Sequence, residues 1–176
     1  MAGADDLTIR DARPDEREAI HDLTLAAYAE FAEVMAPTAW RGLEQALRRA
    51  LAAEEGAERI VAERHGRLVG SVMLFAPAKS AYGGGVDAVP WPELRLLAVA
   101  PQARGDGVGA ALVRECVRRA RASGARELGL HTSESLKVAM RMYERMGFVR
   151  APEHDFQPPG AELVRAYRLP LDDAGA

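Results

Sequence analysis

Glycine stands at every second position from Gly105 to Gly109, between a short apolar run and an amphipathic stretch. Ahead of it, Leu94, Leu96, Leu97 and Val99 read as a strand buried on at least one face. Pro101 has no N–H to give to a sheet ladder, so the strand ends before it. After Gly109, Leu112, Val113, Cys116, Val117 and Ala120 recur at three- and four-residue intervals, which is one face of a helix. Residues 93–120 therefore predict a strand, a tight turn and a helix in direct succession.

That order has a chemical consequence. Glycines let the backbone bend tightly and approach a ligand with no side chain in between. At the first turn of a helix several N–H groups have no intrahelical partner, and with the helix dipole they favour an anion. Arg104 adds a charge suited to phosphate oxygens. A pyrophosphate is the natural guest of such a turn. A Walker loop is excluded, because Ala110 and Ala111 stand where Lys and Ser/Thr are required. A Rossmann fingerprint, which would predict NAD, keeps an acidic residue about 20 positions on, here Glu127. However, its spacing is G-x-G-x-x-G, not the G-x-G-x-G of this chain.

A second pattern lies downstream. Ala139, Tyr143, Gly147 and Phe148 form Ala-x-x-x-Tyr-x-x-x-Gly-Phe, on a predicted helix that carries Leu136, Ala139, Met140, Tyr143 and Met146 at helical spacing. Together with Leu-Ala-Val, Pro101 and Arg104-Gly-Asp-Gly-Val-Gly-Ala110, it resembles the two signatures of the GNAT superfamily of N-acyltransferases. Arg104, Gly107 and Gly109 match the family's Gln/Arg-x-x-Gly-x-Gly/Ala loop. Leu136 departs from it, standing where many members have Asn. The resemblance covers residues 93–150 with specificity and the N-terminal half by pattern alone.

The resemblance implies an α/β (α+β) fold: a central mixed, mostly antiparallel sheet of six to seven strands flanked by helices, with a splayed parallel strand pair at the cofactor site. It implies acetyl-CoA as co-substrate, no metal, and transfer of the acetyl group to a primary amine in a ternary complex. Leu97, Ala98 and Val99 would bind pantetheine through their backbone. Arg104, Gly105, Asp106, Gly107, Val108, Gly109 and Ala110 would take the pyrophosphate, and the Val99 N–H would serve the oxyanion. Tyr143 would protonate the leaving thiolate. Glu93, at the start of the central strand, is the expected general base, directly or through water. His131, near the end of the adjacent strand, is its rival because imidazole titrates near neutrality. A non-catalytic acetyl-CoA sensor on the same fold is the alternative. The acceptor, small molecule or peptide, is not specified, and a homodimer is expected only because dimers are frequent in the family.

Length suits one domain over residues 1–176, with a core over 7–170 and a disordered tail over 171–176. The net charge of −3 gives no electrostatic case for nucleic acid or an anionic membrane. Cys116 is the single cysteine and falls on the apolar helix face, which predicts packing rather than a nucleophile. Residues 1–6 are short and acidic, and no apolar run approaches the ~20 residues of a membrane span. A cytoplasmic setting is the expectation.

The remaining elements follow from period and punctuation. Strands are predicted over 7–10, 58–63, 67–75, 126–132, 148–149 and 162–169, with a tight turn at 64–66. In the strand over 67–75, Leu68, Gly70, Val72 and Leu74 would share one face. Helices are predicted over 16–33 and 39–54, the second capped by Thr38. By resemblance this pair walls the acceptor site, with Tyr28, Phe31 and Trp40 nearby. Residues 76–92, with Pro77, Lys79, Tyr82, Gly83–Gly85, Pro90, Trp91 and Pro92, predict a flexible loop overhanging that site or a plain surface insertion.

Overall fold

Alternating apolar residues in the strands bury both faces of one sheet, and helices cover each face. The computed structural model describes residues 6–52, 56–77 and 89–171. The chain runs β1 (Leu7–Asp11), α1 (Arg17–Tyr28), α2 (Pro37–Ala52), β2 (Ala57–Arg64), β3 (Arg67–Phe75), β4 (Glu93–Val99), α3 (Val108–Ala122), β5 (Glu127–Ser133), α4 (Lys137–Arg145), β6 (Val149–Arg150) and β7 (Val164–Pro170). The seven strands form one sheet in the order β1-β2-β3-β4-β5-β7-β6. Every neighbouring pair is antiparallel except β4 and β5. Among the described residues, no helix is long and apolar enough to cross a membrane.

Adjacent residues of one strand go to opposite cores, as the pleat requires. Ile60, Val72, Leu74, Leu94, Leu128 and Leu130 pack with Leu112, Val113 and Cys116 of α3 and with Tyr143 of α4. Val61 and Met73 pack on the other side with Ile20 of α1 and Leu51 of α2. Gly70 lets α3 lie close, since a Cβ there would stand 2.9 Å from Val108 Cγ1. Cys116 is fully buried, and burial pushes its thiol up to about 12, so it acts as a packing residue.

Three local differences from the sequence expectations have physical causes. The register shifts between Ala62 and Glu63, which leaves Val69 as an extra residue on β3. Leu68 therefore joins the core under α1 and α2, and Val69 joins the core under α3, the reverse of simple alternation. The first helix is broken: α1 stops at Tyr28, and a tighter 3-10 turn runs over Ala29–Glu33. α2 starts at Pro37, which suits a first helical position, so Thr38 lies inside the helix rather than capping it.

The predicted loop over 76–92 lies partly outside the described residues, including Lys79, Tyr82 and Gly83–Gly85. Its last part is not a surface insertion. Trp91 is only 5% exposed and Val89 is buried beside it. The indole fills space left by Gly129, where a Cβ would fall 2.1 Å from Trp91 Nε1. The expected tail behaves likewise at its start. Leu171 is buried, and its N–H donates to the Arg126 carbonyl at 2.7 Å. Residues 172–176 lie outside the described set.

Candidate active site

The sheet opens between β4 and β5. Their only paired residues are Glu93 and Gly129, supported by a hydrogen bond from Gly129 N to Pro92 O at 2.9 Å. Beyond Glu93 the two strands diverge, while β4 stays paired to β3 through Ala98 and Val99. A parallel strand with one edge unpaired presents backbone donors and acceptors to whatever enters. A cavity of about 530 Å³ occupies this gap. It is lined by Leu97, Ala98 and Val99 along the open edge and by the Arg104–Ala110 turn, Asp106 excepted. Tyr143 lines it from α4, Tyr28 and Phe31 from the end of α1 and the turn after it, and His131 from β5.

The glycine turn meets the helix start as the sequence predicted, one residue earlier. Gly107 is left-handed at φ 78° and caps α3, whose first residue is Val108. The first intrahelical hydrogen bond runs from Ala111 N to Gly107 O at 2.9 Å. The N–H groups of Val108, Gly109 and Ala110 precede it and have no helical partner. A Cβ at Gly105 or Gly107 would meet nothing within 4 Å, so both positions border open space. Gly109 differs: a Cβ there would make ordinary contacts with Met142 and Val99.

The turn's charged side chains are held by neighbours. Arg104 Nη1 contacts the Glu30 carboxylate at 2.7 Å, and its Nη2 donates to the Ala27 carbonyl at 2.9 Å. Asp106 is tied to Arg64 at the end of β2 at 2.8 Å, so its carboxylate anchors the turn to that strand. The anion seat is therefore chiefly main-chain N–H, with Arg104 at its rim.

β4 carries a feature that the sequence does not announce. Leu96 has φ 55°, a left-handed conformation uncommon for a branched non-glycine residue. The register shows why: Met73 faces Arg95 and Ser71 faces Ala98, so Leu96 and Leu97 together oppose Val72. This bulge turns the strand just where it borders the cavity. The Tyr28 hydroxyl donates to the Leu97 carbonyl at 3.1 Å. Nothing in a Leu-Leu pair predicts positive φ, so no local signal could have found it.

Tyr143 is buried and packs edge-on against Phe148 at 5.6 Å between ring centroids. Burial, with smaller effects from Tyr28 and Cys116, pushes its phenol well above the usual range, so it keeps its proton. Glu93 is placed differently from a solvated strand end. It is 2% exposed and does not line the cavity. Arg95 Nη2 donates to its Oε2 at 2.9 Å, and its Oε1 lies 2.8 Å from His131 Nδ1. This second contact becomes an ion pair when the imidazole is protonated. Burial alone would raise the Glu93 carboxyl; His131 and Arg95 together outweigh it and hold the group below the usual value. The other ring nitrogen of His131, Nε2, lies 3.0 Å from the His154 carbonyl.

Sequence reasoning missed Arg95. A signal was available, since residues two apart in a strand share a face and carry opposite charges here. Trp40 does not line the cavity, while Tyr28 and Phe31 do, with their rings 5.9 Å apart.

Comparison with known proteins follows the same lines. The model of the acetyltransferase (GNAT) family matches residues 18–148. Mycothiol acetyltransferase of Cellulomonas flavigena is 34% identical over 125 residues, covering 66% of this chain and 36% of that protein. The chain spans well under half the length of the curated relatives it matches, 36% and 29%. Among solved structures, a GNAT-family acetyltransferase of Brucella melitensis in complex with acetyl-CoA shares the fold at a TM-score of 0.56 and 23% identity, covering 91% of this chain and 86% of that one. One from Staphylococcus aureus shares it at a TM-score of 0.66 and 15% identity, covering 94% and 99%.

Proposed function

The chain belongs to the acetyltransferase (GNAT) family, and on that footing we propose that it moves an acetyl group from acetyl-CoA to a primary amine by direct attack in a ternary complex. The observation that carries this reading is the continuity of the cavity. It runs from the unpaired N–H groups at the start of α3, along the open edge of Leu97, Ala98 and Val99, to Tyr143 and His131. The seat fits a diphosphate because it offers N–H donors and no intruding Cβ at Gly105 and Gly107. The strand edge fits the amides of pantetheine because both are extended hydrogen-bonding chains.

Acetyl transfer to an amine has three requirements. The amine needs a lone pair, the developing oxyanion needs a donor, and the thiolate leaves best as a thiol. In this reading the Val99 N–H donates to the oxyanion and the Tyr143 phenol gives its proton to the thiolate. Glu93 acts as base through His131, the member of the pair that lines the cavity. Both ring nitrogens lie beside acceptor atoms, the Glu93 carboxylate and the His154 carbonyl. The imidazole that takes the amine's proton becomes an imidazolium beside the Glu93 carboxylate. The buried carboxylate then balances its charge without leaving the low-dielectric interior.

The test is release of the CoA thiol from acetyl-CoA with a panel of amines: amino acids, polyamines, aminoglycosides, peptides and the acceptor of the mycothiol acetyltransferases. Turnover with at least one amine, reduced in Tyr143→Phe, is the expected result. CoA binding with no turnover on any of them would favour a sensor on the same fold.

A further inference from the structure

Among the described residues, one segment touches the cofactor edge, the anion turn and the acceptor wall together: residues 27–31. Its contacts with Arg104 are described above. Its contact with β4 is of another kind, since it reaches backbone rather than side chain. Tyr28 ends α1, its ring leans on Phe31, and its hydroxyl donates to the Leu97 carbonyl. Burial pushes this phenol up to about 12, so it stays a donor at any working pH. The carbonyl it holds is half of the two-residue bulge, and the other half, Leu96, stands at positive φ.

A bulge made of two leucines has no intrinsic reason to persist. Leucine gains nothing from a left-handed backbone, and β4 could regain regular pairing with β3 by slipping one residue. A slip would turn the groups of 97–99 that now face the gap toward β3 instead. We propose that Tyr28 is a positioning residue for the cofactor edge: by holding the Leu97 carbonyl it keeps the Leu96–Leu97 bulge, and with it the hydrogen-bonding face of residues 97–99, aimed into the cavity. This rests on the proposed acetyl-CoA site and adds a residue to it from outside the two sequence signatures.

The experiment is calorimetric titration of CoA into the wild-type protein, Tyr28→Phe and Thr24→Val, with amide NMR spectra of each. Tyr28→Phe keeps the ring and removes only the donor. Thr24→Val removes a buried hydroxyl bonded within the same helix, to Ile20 O at 2.7 Å, and does not touch the cavity. The expected result is a CoA Kd about tenfold higher in Tyr28→Phe, the loss of one hydrogen bond's worth of alignment. It comes with shifted amide signals for Leu97, Ala98 and Val99, and Thr24→Val binds as the wild type. An unchanged Kd in Tyr28→Phe overturns the proposal. So does an equal rise in Thr24→Val, which would mean general loosening of α1. If the wild-type protein itself ignores CoA, the acetyl-CoA reading fails first, and that outcome overturns this proposal with it.

Discussion

Glu93 Oε1 and His131 Nδ1 meet 2.8 Å apart across two strands whose backbones pair at one position only. The contact sits where the strands begin to part, so it joins by side chains what the backbone no longer joins. Arg95 donates to the other carboxylate oxygen, so the buried Glu93 carboxylate stands between a guanidinium and an imidazole beside the cavity.

Replacing Glu93 by Gln keeps the volume and removes the charge that pairs with Arg95 and faces His131. Breaking a buried pair in this way costs about 3–5 kcal/mol. Glu93→Gln is expected to lower the midpoint of urea unfolding and to reduce kcat at neutral pH. Because the folded carboxyl is held below its usual value, its contribution is present above the unfolded value and is lost as pH falls through the folded one. The stability gap between wild type and variant should therefore be constant near neutrality and close in acid. A gap that widens as pH falls would contradict the arrangement.

Tyr143→Phe should leave stability nearly unchanged, since the ring still packs on Phe148. On the proposed acid role, kcat falls by about 10²–10⁴. The phenol is pushed well above its ordinary range, so the wild-type kcat should show no loss from Tyr143 ionisation up to mildly alkaline pH. Full kcat in the variant, measured by thiol release, would remove Tyr143 from the chemistry.

Gly107→Ala places a Cβ on a left-handed residue at φ 78°. The strain is about 1–2 kcal/mol, and the added methyl enters open space in the turn that lines the cavity. Stability should drop by roughly that amount and CoA affinity should fall further. Gly109→Ala, with only ordinary contacts to Met142 and Val99, should be milder on both counts. Calorimetry on the two variants separates them, and equal effects would argue against a main-chain anion seat.

Gly129→Ala drives a methyl into the Trp91 indole, 2.1 Å from Nε1. Overpacking of this kind costs about 1–3 kcal/mol. Trp91→Leu in the same chain should recover part of the loss, because the smaller side chain makes room. A double-mutant cycle by chemical denaturation reads the coupling directly, and strict additivity would show that the two residues do not meet.

Acid stability should also respond to Arg10, which bonds Glu16 at 2.6 Å and also pairs with Glu63. The Arg10 hydrogen bond, opposed by burial, holds the Glu16 carboxyl down at about 2. Its contribution is present above the unfolded carboxylate value and fades as pH falls toward about 2. Arg10→Gln should therefore cost about 1 kcal/mol at pH 7 after solvent screening, with the difference vanishing in strong acid. Thermal unfolding from pH 7 to pH 2 checks this.

The features legible in the sequence were those that a few neighbouring residues decide. Gly107 needs a left-handed backbone, Pro101 stops a strand, and the period of Leu112, Val113 and Cys116 makes one apolar helix face. These are local properties of the backbone and of side-chain spacing, and they set the turn, α3 and α4 before any packing is known. The tertiary structure alone decided the rest. Leu96 is left-handed because β4 must keep register with β3 while Leu97 is held by Tyr28. Trp91 is buried because Gly129 leaves it room, and Glu93 faces His131 because a crossover helix sets β5 beside β4. Each of these depends on partners distant in the chain, whose meeting is fixed by burial and strand register rather than by any preference of the residues themselves.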